Sequence, residues 1–553
     1  MKKTWLLVIA FLLFTGASMA QQFSVEKSAE FDEPEYGWNK LLQLRNGNTF
    51  YFHSTKKDGI ELTVYNKQRK QTAQKTLVSR KWDVEQMRSS SIKGLYEING
   101  EPVLFVVQTN DNDQPTLYRM RLNGNNGAIV KEDELGKLPK TSVWAGLGNA
   151  YGKWDLSNIF IEKDPSSGNY AAVFFNTQAH NRSERIRVVH YDSTHTILNN
   201  AFYDSPNGSF KYLSYIGCVV DGNKRVFIAT YGHSGATEDV SSKVIVSVLN
   251  NGDTTFKHKL LEFSEDFKDT KSVMLYNRGS NRIQLLTITY VKTKGGFLGK
   301  SKSLYETALT YINPETLETI STKAVAGEKI AAYAEKNIDK DYEYHGLPQN
   351  MIINKDNTTT LLMEDHTTVT ETHTSGHMMV TTSYVLLGAV GVSELSDTGA
   401  ELTGYAINKK QKASGAFPLL YLARRNKGIF SYPPSKGFTR GNTDEFLSYD
   451  YINAPNGHYV LFNDLPGNFD RDEDETKRKT TTSISATNTI CFKLGGDKID
   501  KYYLFGEPDG KRSATFSYIE SSDYDKENNT YATLIVEKDG RDKSARVAWV
   551  KFQ

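Results

Sequence analysis

The sequence predicts an all-β fold built from one repeated four-stranded unit, and three observations carry that expectation. The 553 residues include 31 Tyr and 27 Phe with many Thr and Val, residue types that fit a pleated, half-buried surface. Long stretches with a 3.6-residue apolar period are almost absent, which leaves little from which to build helices. A tight polar turn flanked by two apolar strands recurs along the whole chain.

The turns are Asn46-Gly47-Asn48, Asn99-Gly100-Glu101, Ser167-Gly168-Asn169, Asp221-Gly222-Asn223, Gly279-Ser280-Asn281, Asp356-Asn357-Thr358, Pro455-Asn456-Gly457 and Glu527-Asn528-Asn529. Asn, Asp and Gly supply the positive φ that hairpin turns demand. A second strand follows each turn, for example Thr49 to His53 or Tyr459 to Phe462, then a third, for example Ile186 to Tyr191, then a weaker fourth. Four antiparallel strands repeated in this way resemble the blades of the β-propeller superfamily, in which closure into a ring removes exposed edges. Eight turns imply eight blades, with seven as the runner-up. The final unit, Thr515 to Phe552, supplies only three strands, so Phe23 to Phe31 is expected to complete it and close the ring. The resemblance is to the architecture alone. Trp-Asp repeat endings, the sialidase Ser-x-Asp-x-Gly-x-x-Trp box and paired kelch glycines are all missing, and fold without signature says little about function.

Lys2 and Lys3, an apolar run from Trp5 to Phe14 and the small residues before Gln21 have the layout of a signal peptide. Residues 1–20 are therefore expected to be removed, leaving 21–553 as one propeller that is exported and periplasmic or secreted. No apolar run reaches the length of a membrane span. Removal of two lysines turns 67 basic and 65 acidic residues into 65 of each, a balance that gives no electrostatic reason to seek nucleic acid or anionic lipid. Cys218 and Cys491 sit in separate apolar runs and read as buried free thiols.

In an up-and-down blade, the turns joining strands 1 to 2 and 3 to 4 share one face of the ring, and the 2-to-3 and 4-to-1 connections share the other. The second face collects the long segments: Asn176 to Arg185, Tyr231 to Lys243, Lys292 to Ser303, Asp365 to His377 and Asp464 to Thr482. Binding usually lives on such loops. Trp38, Trp82, Trp144 and Trp154 fall in 4-to-1 connections, accompanied by Asn39, Asp83 and Asp155. Flat rings beside amide and carboxylate groups suit sugar stacking at the channel mouth, a reading outweighed by the packing of gaps between blades.

Two clusters could hold a metal. Glu371, His373 and His377 come together if Thr374-Ser375-Gly376 turns the chain, which would suit zinc. Asp470, Asp472, Asp474 and Glu475 could hold calcium, although the helix-loop-helix pattern is not met. Both are outweighed by a solvated hairpin tip and a solvated charged loop, and no cofactor is expected. The sequence therefore reads as a non-catalytic binding or scaffold protein of the cell envelope that engages a polysaccharide or a protein partner through its loop-rich face. The alternative is a glycan-active enzyme with carboxylates such as Asp83 and Asp155 at the channel mouth.

Overall fold

A computed structural model describes residues 23–552 except Tyr36, 56–57, 110–113, 140–156, 177–180, Lys211, 234–242, 262–269, 296–298, 376–377, 415–416, 432–445, 470–477, 497–498 and Lys511. Eight antiparallel four-stranded blades form a ring. Blade 1 runs through Trp38–Gln43, Thr49–Ser54, Ile60–Tyr65 and Gln71–Leu77, and blade 2 through Ser90–Ile98, Glu101–Thr109, Pro115–Leu122 and Ile129–Lys137. Blades 3, 4 and 5 begin at Ser157–Lys163, Tyr212–Asp221 and Thr270–Asn277, and blades 6 and 7 at Gly346–Ile353 and Asp450–Ala454. Blade 8 consists of Ser513–Asp525, Thr530–Asp539 and Asp542–Phe552, completed by Phe23–Lys27.

The closing strand pairs in the expected place. Phe23 lies opposite Phe552 and Lys27 opposite Ala548, and a further bridge joins Phe31 to Ala545. Seven of the eight inner turns carry a positive-φ residue among those named from the sequence, such as Gly47 at 86° and Asn357 at 69°. The turn at Ser167-Gly168 is made differently, by the Asp164 carboxylate accepting from the Ser166 amide and the Ser167 hydroxyl.

Alternation along each strand explains why the blades form a ring. In blade 1, Phe50, Phe52, Leu62 and Val64 join a buried cluster with Ile92, Leu104 and Met120 of blade 2, while Tyr51 and Tyr65 face the other way toward Phe516 and Trp549 of blade 8. The same division repeats around the molecule, and the described residues form eight apolar clusters, one at each seam. Central strands such as Tyr170–Asn176 are buried along their whole length, whereas the outer strand Gln71–Leu77 is mostly exposed. Cys218 and Cys491 are buried free thiols inside these seams, with burial raising both above the usual thiol range.

Two features depart from a plain ring. In the segments read as loops at Lys292 to Ser303 and Asp365 to His377, the described residues are strand extensions instead: Arg282–Gly295, Gly299–Ile312, Thr359–Ser375 and Met378–Leu395 continue the strands of blades 5 and 6. They pair across the blades, Lys300 opposite Glu371, so blades 5 and 6 share one sheet. A helix, α1 (Glu328–Asn337), packs Ile330 and Ala334 into the seam between them. No helix among the described residues is long and apolar enough to cross a membrane.

Near the short-turn face, His195 shows how burial sets a titration. Its Nδ1 lies 3.0 Å from the Tyr170 hydroxyl, and its side chain is 3% exposed. Burial, and then the Arg119 and Arg121 guanidiniums, bring it down to about 4. The unfolded chain binds this proton near pH 6.5, so the stability it contributes is complete above that value and is lost as pH falls toward 4. We expect His195→Gln to flatten the pH dependence of the urea midpoint between pH 7.5 and 4.5, with equal slopes in both proteins counting against this assignment.

Candidate functional site

The loop-rich face is organised by the connection between blades 6 and 7, residues 408–449. Its helix α2 (Tyr421–Arg425) and the turn after it lie against first strands on opposite sides of the ring. From blade 6, the Gln349 side-chain oxygen accepts from the Tyr421 amide. In blade 7, Asp450 pairs with Arg425, the two side chains being 8% and 3% exposed. Across the bore, Leu95 of blade 2 donates its amide to the Lys427 carbonyl, and Phe430–Ser431 pairs with Ser91 and Ile92. Lys427 Nζ reaches both oxygens of Glu162 in blade 3, at 2.8 and 2.6 Å. In an eight-membered ring, blades 2 and 6 are opposite, as are blades 3 and 7, so this segment spans the channel.

Local chemistry explains why the chain can do this. Leu420 and Leu422 enter the seam clusters on either side of blade 6. Gly428, at φ 69°, ends the helix by donating to the Arg425 carbonyl and brings the backbone against Leu95. Both ends of the segment are fastened to one buried carboxylate: Lys409 Nζ lies 2.6 Å from Glu364, both side chains fully buried, and the Ser448 hydroxyl donates to the same carboxylate at 3.0 Å.

The bore beneath is lined by buried charged groups. Lys40 of blade 1 donates to the Ser522 carbonyl at 2.5 Å. Burial, reinforced by Arg425, brings its amine down to about 8 against the pull of Asp523 and Asp450. Asp523 is pushed above the usual carboxylate range by burial, with Lys40 opposing. Ser522 and Tyr531 donate to the second oxygen of Asp450. Every one of these carboxylates has a cation or hydrogen-bond donors beside it.

The sequence-derived site residues fall in several environments. Trp38 and Trp82 are 1% and 6% exposed and sit in the cluster between blades 1 and 2, so their rings serve as packing in this state. Replacing either by Ala is expected to cost about 3–5 kcal/mol of stability, read by urea unfolding, because each leaves a large cavity; a loss below about 1 kcal/mol would show that the ring is not core. Asp83 caps a short helical turn, accepting from the Glu85 amide at 2.9 Å. Trp144, Trp154, Asp155 and the Asp470 to Glu475 loop lie outside the described residues, as does His377. Glu371 accepts from the Tyr384 hydroxyl at 2.9 Å, His373 is paired in register with Val380, and His366 is buried with Nε2 3.2 Å from the Phe417 carbonyl.

A cavity of about 310 Å³ opens at the seam where blade 8 meets blade 1. One wall is Phe31 to Glu35, the stretch leading from the closing strand to blade 1; the others are Tyr51 and His53 of the second strand with Thr55 just after it, Glu61, Thr63 and Tyr65 of the third, Gln71 and Gln74 of the fourth, and the loop residues Asp58 and Gly59. The second-strand and third-strand groups each recur at every other residue, so the two rows share a sheet face. Asn39, 3% exposed, stands behind them: its side-chain oxygen accepts from the Tyr51 hydroxyl at 2.7 Å and lies 2.9 Å from His53 Nδ1, while its Nδ2 has no partner. Burial lowers the His53 titration, opposed chiefly by Glu61. Sequence reasoning did not find this site, because its residues come from strands and a leader segment that carry no motif.

No family model matches the sequence, and no curated protein matches it. Among solved structures, the chain is similar to the polysaccharide lyase Uly1, at 9% identity over 83% of this chain and 90% of that one, with a TM-score of 0.36. It is also similar to the β-propeller domain of the Trilobed protease from Pyrococcus furiosus, at 8% identity, 70% and 96% coverage and a TM-score of 0.31. Drosophila Semaphorin 2a gives 8% identity, 84% and 74% coverage and a TM-score of 0.36. No activity of this chain follows from likenesses at these identities.

Proposed function

We propose that the chain is a non-catalytic binding or scaffold protein of the cell envelope, exported to the periplasm or beyond, which engages a polysaccharide or a protein partner through its loop-rich face. The observation that carries this reading is the occupied channel. Carboxylates converging on the axis are where a propeller enzyme acting on glycans would be sought, and here Asp450 and Glu162 are already paired with Arg425 and Lys427 of the protein's own connection. Free concave surface on that face lies at the rim, in the seam cavity between blades 8 and 1.

The test is to incubate the purified protein with a panel of envelope polysaccharides, following binding and polymer length together, and to repeat the capture with envelope proteins after photo-crosslinking from Thr55. Saturable binding with polymer length unchanged, or a discrete cross-linked protein, is expected. Shortened polymer would replace this reading with the enzyme one, and the absence of any binding would overturn it.

A further inference from the structure

We propose that the seam cavity is a receptor for a lysine or arginine side chain presented by a protein partner. The inference rests on the binding reading above and names the chemistry of the site it would use. Three features of the cavity point to an organic cation carried on an apolar stem.

The first is charge. Asp32, Glu33, Glu35, Asp58 and Glu61 all contribute to the walls, and no described lysine or arginine does. Glu33 is held at the edge by Lys543 at 2.9 Å and by the Tyr518 hydroxyl at 3.2 Å, and Asp58 accepts from Thr55 at 2.6 Å. An ammonium or guanidinium entering such a half-enclosed space meets several carboxylates at once, in surroundings less screened than open water.

The second is the aromatic lining. Phe31 and Tyr51 have ring centroids 6.0 Å apart, and Tyr51 and His53 are stacked at 6.5 Å. Ring faces beside carboxylates attract cations through their quadrupoles, and they also cover the methylene stem of a lysine or arginine. A sugar amine, set on a hydroxyl-rich ring, has no such stem to bury.

The third is Asn39. Its Nδ2 is a buried donor without a partner, on the side chain whose oxygen contacts the Tyr51 hydroxyl and His53 of the cavity lining. An orphaned buried donor costs free energy, so the wall formed by Tyr51 and His53 is backed by an unsatisfied polar group rather than by sealed apolar packing.

The experiment uses calorimetric titration of the intact protein at low ionic strength with Nα-acetyl-lysine methylamide, its uncharged counterpart Nα-acetyl-norleucine methylamide, and a glucosamine oligomer. The lysine compound is expected to bind saturably, at least about tenfold tighter than the norleucine compound. The exposed-carboxylate double variant Glu35→Gln/Glu61→Gln, confirmed as folded by its urea midpoint, should weaken it by a similar factor, as should 0.5 M salt. Equal binding of the two amides, no saturable binding, indifference to the double variant, or preference for the glucosamine oligomer would each overturn the proposal. A polysaccharide or protein that still binds the loop-rich face in that event leaves the broader reading standing, whereas loss of all binding removes both.

Discussion

A chain that begins at Glu33 is expected to lose cooperative unfolding or to aggregate. Removing Phe23–Lys27 leaves Asp542–Phe552 as an open edge, and that strand carries Trp549, Val550 and Phe552, all 1% exposed or less in the closed ring. The loss comprises the antiparallel ladder from Phe23 to Lys27, the Ser28 and Phe31 backbone bonds to Val547 and Ala545, and the burial of Phe23 between blades 7 and 8. With about 1 kcal/mol for each net hydrogen bond and about 2 kcal/mol for the phenyl ring, the cost is at least about 5 kcal/mol. An exposed apolar edge also templates pairing with other chains. Urea unfolding and light scattering of the shortened protein check this, and an unchanged midpoint with a monodisperse sample would show that the closing strand contributes little.

The second large effect is expected at Arg425. Arg425→Met removes the cation beside Asp450 and leaves a carboxylate that is 8% exposed with only the hydroxyls of Ser522 and Tyr531 and the more distant Lys40. Breaking one side of a buried pair typically costs about 3–5 kcal/mol, because an uncompensated charge stays behind. The double variant Arg425→Met/Asp450→Asn should therefore recover much of the loss, since a neutral amide can still accept from both hydroxyls. Similar stability of the single and double variants would mean that Arg425 acts through packing of its stem alone.

How far the sequence foretold this molecule differs between its parts. Blade number, the short-turn face and the closing strand were readable because each rests on local chemistry: Asn and Gly at turns such as Asn99-Gly100, and strand alternation on either side. The sheet shared by blades 5 and 6 was not, because Thr-rich segments such as Thr367 to Thr374 alternate too little to mark a strand, and the register of Lys300 with Glu371 is set only once the blades are neighbours. The filled channel was hidden for a related reason. Its segment breaks the repeat, although Leu419, Leu420, Leu422 and Ala423 followed by Gly428 are a short helical signature inside an otherwise β chain. Trp38 and Trp82 illustrate the limit of composition: an aromatic beside Asn39 or Asp83 looks the same in sequence whether it stacks on a sugar or fills a seam, and the structure places both rings in the seam. The seam cavity draws on residues from 31 to 74 that only ring closure brings against blade 8.

The central claim is that the channel is closed by the protein's own connection, which moves binding to the rim. Amide hydrogen exchange on the native protein tests it most directly. The Leu95 amide, bonded to the Lys427 carbonyl, and the Asn426 amide, bonded to the Leu422 carbonyl at 3.0 Å, are predicted to exchange only through global unfolding, with the same protection as the central strands of blade 1. Exchange at these amides orders of magnitude faster than in those strands would contradict the account, because the connection would then leave the channel under native conditions and open the axis to ligands.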